Sequence, residues 1–189
     1  ERVLVPRPET ELLVDLVLER AERGILDVGT GSGVLAISVG LANPDLKVWG
    51  SDVSVPALEV ANKNCVQLGA EVEFFQSDLL ERVPDLDADV LVANLPYIGE
   101  MEHSALDENV RKHEPALALF GGEDGLTLYE RLFDQIVEQK RNSRFILGEI
   151  GFSQGKAIED LAVRKLKGYR FSLFQDLQGL DRHFVLEKI

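Results

Sequence analysis

Two short stretches of this chain combine residue types and spacing suited to chemistry. The first is Asp27-Val28-Gly29-Thr30-Gly31-Ser32-Gly33. Glycines in such a run permit a tight turn and let the backbone approach a ligand, and a parallel strand feeding a helix puts that turn where open α/β sheets bind ligands. Residue 34 is Val34, so the spacing is G-x-G-x-G and not the dinucleotide pattern G-x-G-x-x-G. No lysine follows, which argues against a Walker-type phosphate loop. Asp52 lies about 20 residues further on, where a carboxylate can accept both ribose hydroxyls of an adenosine group. Asp78, in Ser77-Asp78-Leu79, ends the next expected strand and can reach the adenine edge. The expected cofactor set is therefore Gly29, Thr30, Gly31, Ser32, Gly33, Asp52 with its neighbour Val53, Asp78 with its neighbour Leu79, and Asn94.

The second stretch is Asn94-Leu95-Pro96-Tyr97. An asparagine can present a side-chain carbonyl to an N–H donor, the next residue can add a main-chain carbonyl, and proline stiffens the turn. Two acceptors converging on one –NH2 would orient a planar amide or an aromatic amine, with Tyr97 packed on its face. Taken alone, the tetrapeptide reads equally well as a plain strand-to-loop turn with a buried tyrosine. His103 and His113 stand ten apart, without a metal-ligand spacing, and no metal is expected. Glu149, in Gly148-Glu149-Ile150-Gly151, sits at another strand end, where a site wall and a structural hydrogen bond are equally open. Asp181-Arg182-His183 reads as a hairpin marker with an ion pair.

These residues need a scaffold that brings strand ends together, and the hydrophobic pattern supplies one. Apolar β-rich runs alternate with helical periodicity nearly end to end, the signature of a parallel α/β sheet. Helices are expected at residues 10–22, 33–41, 56–68, 126–139 and 154–166. Strands are expected at 24–28, 48–51, 72–76, 88–93 and 145–149, with 169–174 and 183–186 as a closing antiparallel pair. Residues 98–125 carry scattered charges and glycines over a length unusual for a structureless connection, which marks them as a candidate functional segment. No internal repeat or linker appears.

The 189 residues fit one domain, residues 1–189. With 45% hydrophobic and 28% charged residues, neither disorder nor a membrane protein is indicated. Apolar runs fall well short of the roughly 20 residues that span a bilayer, and no cleavable signal opens the chain. Cys65 is the single cysteine, which excludes an intrachain disulfide and fits a reducing cytoplasm. A net charge of -13, from 20 basic and 33 acidic residues, disfavours a nucleic-acid partner.

With the motifs in place, the chain resembles the HemK/PrmC family, protein-glutamine methyltransferases that act on peptide-chain release factors. Val5-Pro6-Arg7-Pro8-Glu9-Thr10-Glu11 is similar to the family's entry segment, Asp27 to Gly33 to its cofactor loop, and Asn94 to Tyr97 to its N-P-P-Y motif. Glu114-Pro115-Ala116-Leu117 and Gly121-Gly122-Glu123-Asp124-Gly125-Leu126 match the family's pattern downstream of that motif. The resemblance implies a Rossmann-like class I methyltransferase fold: a mostly parallel seven-stranded sheet, helices on both faces and an antiparallel C-terminal strand. It implies S-adenosyl-L-methionine as cofactor, S-adenosyl-L-homocysteine as product, and a release factor as protein substrate. It also implies that Asn94, Leu95, Pro96 and Tyr97 form the catalytic motif, the first two holding the glutamine –NH2. Leu95 departs from the family's proline, and N-L-P-Y is similar to the motif of ribosomal-RNA adenine dimethyltransferases. By that resemblance residues 1–189 are expected to correspond to the family's catalytic domain, with its N-terminal helical domain expected to be absent from this sequence. Two rival readings are a nucleic-acid adenine methyltransferase and a non-catalytic cofactor-binding module.

Overall fold

A computed structural model of the chain describes residues 9–99, 122 and 124–189. Among these residues the order is α1 (Glu9–Leu18), β1 (Gly24–Val28), α2 (Val34–Ala42), β2 (Lys47–Asp52), α3 (Val55–Leu68), β3 (Glu73–Gln76), β4 (Val90–Ala93), α4 (Thr127–Glu138), β5 (Phe145–Glu149), α5 (Gly155–Lys165), β6 (Tyr169–Gln175) and β7 (Asp181–Lys188). One seven-stranded sheet runs β3-β2-β1-β4-β5-β7-β6. Strands β1 to β5 pair in parallel, and β7 lies antiparallel to both β5 and β6. The order reverses between β1 and β4, the kind of switch point at which such sheets bind ligands.

Strand alternation divides the core into two layers. Leu26 and Val28 of β1, Leu91 and Ala93 of β4, and Ile146 of β5 pack on one face with Leu132 and Phe133 of α4 and Ile158 and Leu161 of α5. Ile25, Val90, Val92 and Leu147 pack on the other with Leu13 and Val17 of α1 and Leu35 and Val39 of α2. Because β1, β4 and β5 are buried throughout, they read in sequence as continuous apolar runs, as doubly covered parallel strands do. Turn chemistry sets the helix limits. Ser54 caps α3 by accepting the Ala57 N–H at 3.3 Å, and Gly69 closes it in the left-handed conformation at φ 70.

The differences from the sequence expectations have physical causes. Helix α1 stops at Leu18, not Glu22, because the next stretch is captured by a distant side chain: the N–H groups of Glu22, Arg23 and Gly24 all donate to the Asp89 carboxylate, at 2.9, 3.1 and 2.9 Å. That same task keeps Asp89 out of β4, which starts at Val90. Asp78 lies past the end of β3, which closes at Gln76. Strand β7 begins at Asp181, so Asp181, Arg182 and His183 are strand residues. The turn precedes them, where Asp176 N donates to Leu180 O at 2.8 Å, and the ion pair joins Arg182 to Asp176 at 3.2 Å. No described helix is long and apolar enough to cross a membrane.

Candidate active site

Sheet register alone collects the chemistry-bearing residues. Val28 pairs with Ser51 and with Ala93, Ala93 pairs with Gly148, and Glu149 pairs with His183. One residue past those pairs, Asp52, Gly29, Asn94 and Glu149 form a row along the carboxyl edge of the sheet, and His183 of β7 continues it.

The glycine loop is held by its own backbone. Gly29 and Thr30 N–H both donate to Ser51 O at 2.8 Å, Gly31 N–H to Asp52 Oδ2 at 2.9 Å, and Gly33 N–H to Thr30 O at 2.8 Å. The donors of the three glycines are spent inside, so these residues contribute shape. Gly29, Gly31 and Gly33 all have positive φ, at 74, 57 and 79. A Cβ on Gly29 would come within 2.9 Å of Leu95 Cδ2, whereas one on Gly31 would meet nothing within 4 Å. The loop therefore abuts the Asn94 motif at one end and leaves open space at its tip. Thr30 and Ser32 are buried, and Ser32 O accepts from Asn64 Nδ2 at 3.0 Å.

Beneath the loop, Asp27 is buried and accepts the Thr30 hydroxyl at 2.7 Å. Burial lifts its carboxyl from 3.8 to about 7; the Thr30 and Ala36 hydrogen bonds oppose the rise, and the Asp52 charge adds to it. In the sequence Asp27 reads only as the start of the loop, because a strand-end aspartate carries no signal of how deeply it will be covered.

Asp52 closes β2 and uses one lone pair of each oxygen, for Gly31 N–H at 2.9 Å and for Ser54 N–H at 2.8 Å. A carboxylate offers about four acceptor sites, so two remain for a diol. Val53 beside it is 52% exposed, an apolar surface at the same rim. Asp78 Oδ2 accepts from Arg131 at 2.8 Å, leaving its other oxygen for an amine. Leu79 is buried in the core at φ 51, and its carbonyl accepts from Ser51 Oγ at 3.4 Å. The open loop tip, two carboxylates with spare acceptors and an apolar rim fit an adenosine-bearing cofactor.

At Asn94 the side chain is fully specified. Its Nδ2 donates to Glu149 Oε2 at 3.0 Å and approaches Thr10 Oγ1 at 3.4 Å. Glu149 is buried, and its Oε1 accepts the Tyr97 hydroxyl at 3.3 Å. Its Oε2 also lies 3.4 Å from Thr10 Oγ1 and 3.9 Å from His183 Nε2. Thus Glu149 is a hub of hydrogen bonds behind the motif, and Thr10 joins the site from α1. Sequence reasoning leaves Glu149 open between a site wall and a structural hydrogen bond and does not single out Thr10, since partners separated by 55 and 84 positions share no local pattern.

The Leu95 side chain is buried against the loop. Pro96 and Tyr97 are half-buried, and Gln154 Nε2 holds the Tyr97 carbonyl at 2.9 Å. Behind the strand ends, Tyr129 Oη sits 2.9 Å from Ala93 O and 2.7 Å from Glu149 O, tying β4 to β5 just where Asn94 and Glu149 emerge. His103, His113, the segment 114–117, residues 1–8 and most of 98–125 lie outside the described residues, as does the Glu9 side chain.

Sheet order, glycine loop and strand-end carboxylates together define a class I S-adenosylmethionine-dependent methyltransferase. Residues 8–122 match the family model described as the Methyltransferase small domain. The release factor glutamine methyltransferase of Bacillus subtilis (strain 168) is 43% identical over 190 residues, covering 95% of this chain and 66% of that protein. That of Lactococcus lactis subsp. lactis (strain IL1403) is 42% identical over 185 residues, covering 96% and 68%. The chain belongs to the release factor glutamine methyltransferase family, within the wider methyltransferase small-domain group. It spans about two thirds of the length of these curated relatives. In fold it is similar to a methyltransferase from Pyrococcus furiosus, with a TM-score of 0.72 at 18% identity over 99% of this chain and 85% of that one.

Proposed function

We propose that this chain transfers the methyl group of S-adenosyl-L-methionine to the side-chain amide nitrogen of a glutamine in a protein, and that the protein is a cytoplasmic peptide-chain release factor. The observation that carries this reading is Asn94: its Nδ2 is turned into the protein toward Glu149, at 3.0 Å, so its Oδ1 is the edge left for an acceptor –NH2. The names of the relatives support glutamine and a release factor, and the net charge of -13 favours a protein over a nucleic acid.

The cofactor supplies an electrophilic methyl group on a sulfonium. Asp52 would accept the ribose hydroxyls and Asp78 the adenine amine. Gly29, Thr30, Gly31, Ser32 and Gly33 would shape the wall beside them, and Val53 and the Leu79 main chain would line it. An amide nitrogen is a poor nucleophile because its lone pair is delocalised. Asn94 Oδ1 and the Leu95 carbonyl would accept its two N–H groups and turn the lone pair toward the methyl group, so the gain comes from orientation and fixed dipoles. Pro96 keeps the turn stiff and Tyr97 packs on the amide face. No strong base is needed beforehand, because the nitrogen becomes acidic once methylated and releases its proton to water or a nearby acceptor.

Incubation with labelled cofactor and, separately, a release factor, a ribosomal protein and RNA tests the reading. Label on a release-factor glutamine is the expected result. Label on RNA alone would transfer the site to adenine chemistry, and no transfer to any acceptor would favour a binding module.

A further inference from the structure

We propose that Glu149, assisted by Thr10, makes the acceptor site choose an amide over a carboxylate by fixing which edge of the Asn94 carboxamide meets the substrate. This rests on the reading of Asn94 as the group that meets the acceptor –NH2.

A carboxamide has two chemically opposite edges of nearly equal shape, and a half-turn exchanges them. At Asn94 that half-turn is blocked by chemistry. Nδ2 lies 3.0 Å from Glu149 Oε2 and 3.4 Å from Thr10 Oγ1, and Thr10 Oγ1 lies 3.4 Å from the same Oε2. The hydroxyl can donate to the carboxylate and still accept the second amide proton, so both Asn94 N–H groups point inward. Turned over, Oδ1 would face Oε2 at that same short distance, acceptor against acceptor. Glu149 is 2% exposed, so little water would screen the contact. Among the described residues nothing donates to Oδ1.

The site therefore presents an acceptor outward with a buried carboxylate behind it. A glutamine –NH2 donates to that edge. A glutamate carboxylate would set oxygen against oxygen and bring a second negative group toward Glu149. The same arrangement aids transfer: hydrogen bonds from Nδ2 to Glu149 and Thr10 polarise the Asn94 amide and make Oδ1 a stronger acceptor as the substrate nitrogen gains positive charge. Glu149 acts through Asn94 and is a positioning residue. Tyr97, whose hydroxyl reaches Oε1 at 3.3 Å, is held by the other oxygen of the same group.

The test uses the 189-residue chain with two variants, Glu149→Gln, which keeps shape and removes the obligate acceptor, and Thr10→Val, which removes only the hydroxyl. A release factor with its acceptor glutamine, and the same protein with glutamate there, serve as probes. In the wild-type chain the glutamate form should bind at least about tenfold more weakly, the scale of leaving the Asn94 acceptor facing another acceptor instead of a donor. In Glu149→Gln that gap should close to within about threefold while kcat on glutamine falls about tenfold or more, and cofactor affinity should stay within about twofold. Thr10→Val should move both in the same direction by less. Nitrogen-detected NMR supplies a readout without substrate: the Asn94 amide protons should be shifted and slow to exchange in wild type, and less so in Thr10→Val even if Glu149→Gln does not fold. Unprotected Asn94 amide protons in wild type, or a folded Glu149→Gln with unchanged discrimination, would overturn the proposal. Protected protons with no methylation of any glutamine would support the fixed amide edge and defeat the substrate reading instead.

Discussion

Asp52 reaches from the end of β2 to the neighbouring glycine loop, where its Oδ2 accepts the Gly31 N–H at 2.9 Å while Oδ1 accepts the Ser54 N–H at 2.8 Å. One carboxylate thus braces both the turn after β1 and the start of α3, with an acceptor site to spare on each oxygen. Asp52→Ala should weaken S-adenosylmethionine binding at least about tenfold, given about 1.5–3 kcal/mol for each hydrogen bond to a charged group. Asp52→Asn, which keeps one acceptor oxygen, should lose less. Titration calorimetry on the folded variants checks both, and unchanged affinity in Asp52→Ala would remove this residue from the cofactor site.

Asn94→Ala separates turnover from cofactor binding. Because the carboxamide is assigned to orient the acceptor, its loss should cost on the order of a hundredfold in rate and little in cofactor affinity. Single-turnover methylation of a release factor, beside calorimetry with the cofactor alone, distinguishes the two. Equal losses in both measurements would make Asn94 chiefly a cofactor ligand.

Asp27 makes stability depend on pH. Its folded carboxyl titrates near 7 against 3.8 for the free group, so the folded chain holds a proton that the unfolded chain releases. The stabilisation is complete below about pH 4 and is lost as pH rises to about 7, a change on the order of 4 kcal/mol. Asp27→Asn keeps an acceptor for the Thr30 hydroxyl and removes the titration. Urea unfolding of the ligand-free protein at intervals from pH 4.5 to 7.5 should therefore show a falling contribution that the variant lacks; parallel curves for the two proteins would refute it.

Gly125 packs its bare Cα under the acceptor motif. At φ 74, an added Cβ would come within 2.1 Å of the Tyr97 carbonyl oxygen and 2.5 Å of Gln154 Nε2. Gly125→Ala should cost about 1–3 kcal/mol from backbone strain alone and displace Tyr97, lowering both Tm and turnover. Calorimetric melting and a methylation assay check this, with cofactor affinity as the control that should change least.

Much of the scaffold is legible one residue at a time. The spans of β1 and β5 follow from apolar runs bounded by turn residues, because strands buried on both faces can be built from little else. The spacing Gly29-Gly31-Gly33 excludes the dinucleotide pattern without any coordinates. The asparagine of Asn94-Leu95-Pro96-Tyr97 points to an –NH2 acceptor through its own functional group, and the order of the motifs identifies the family.

Other features depend on contacts between segments far apart in the chain. The end of α1 is set by Asp89, which draws away three backbone N–H groups that a helical periodicity would have kept. The depth of Asp27 depends on the elements that cover it. Above all, the outward edge of the Asn94 amide is decided by Glu149 and Thr10, which register and helix packing bring to it from 55 and 84 positions away. A residue type states which bonds a side chain can make, and its neighbours in sequence constrain the local backbone. Which of those bonds is spent inside, and which is left for a substrate, is settled only when the strands pair.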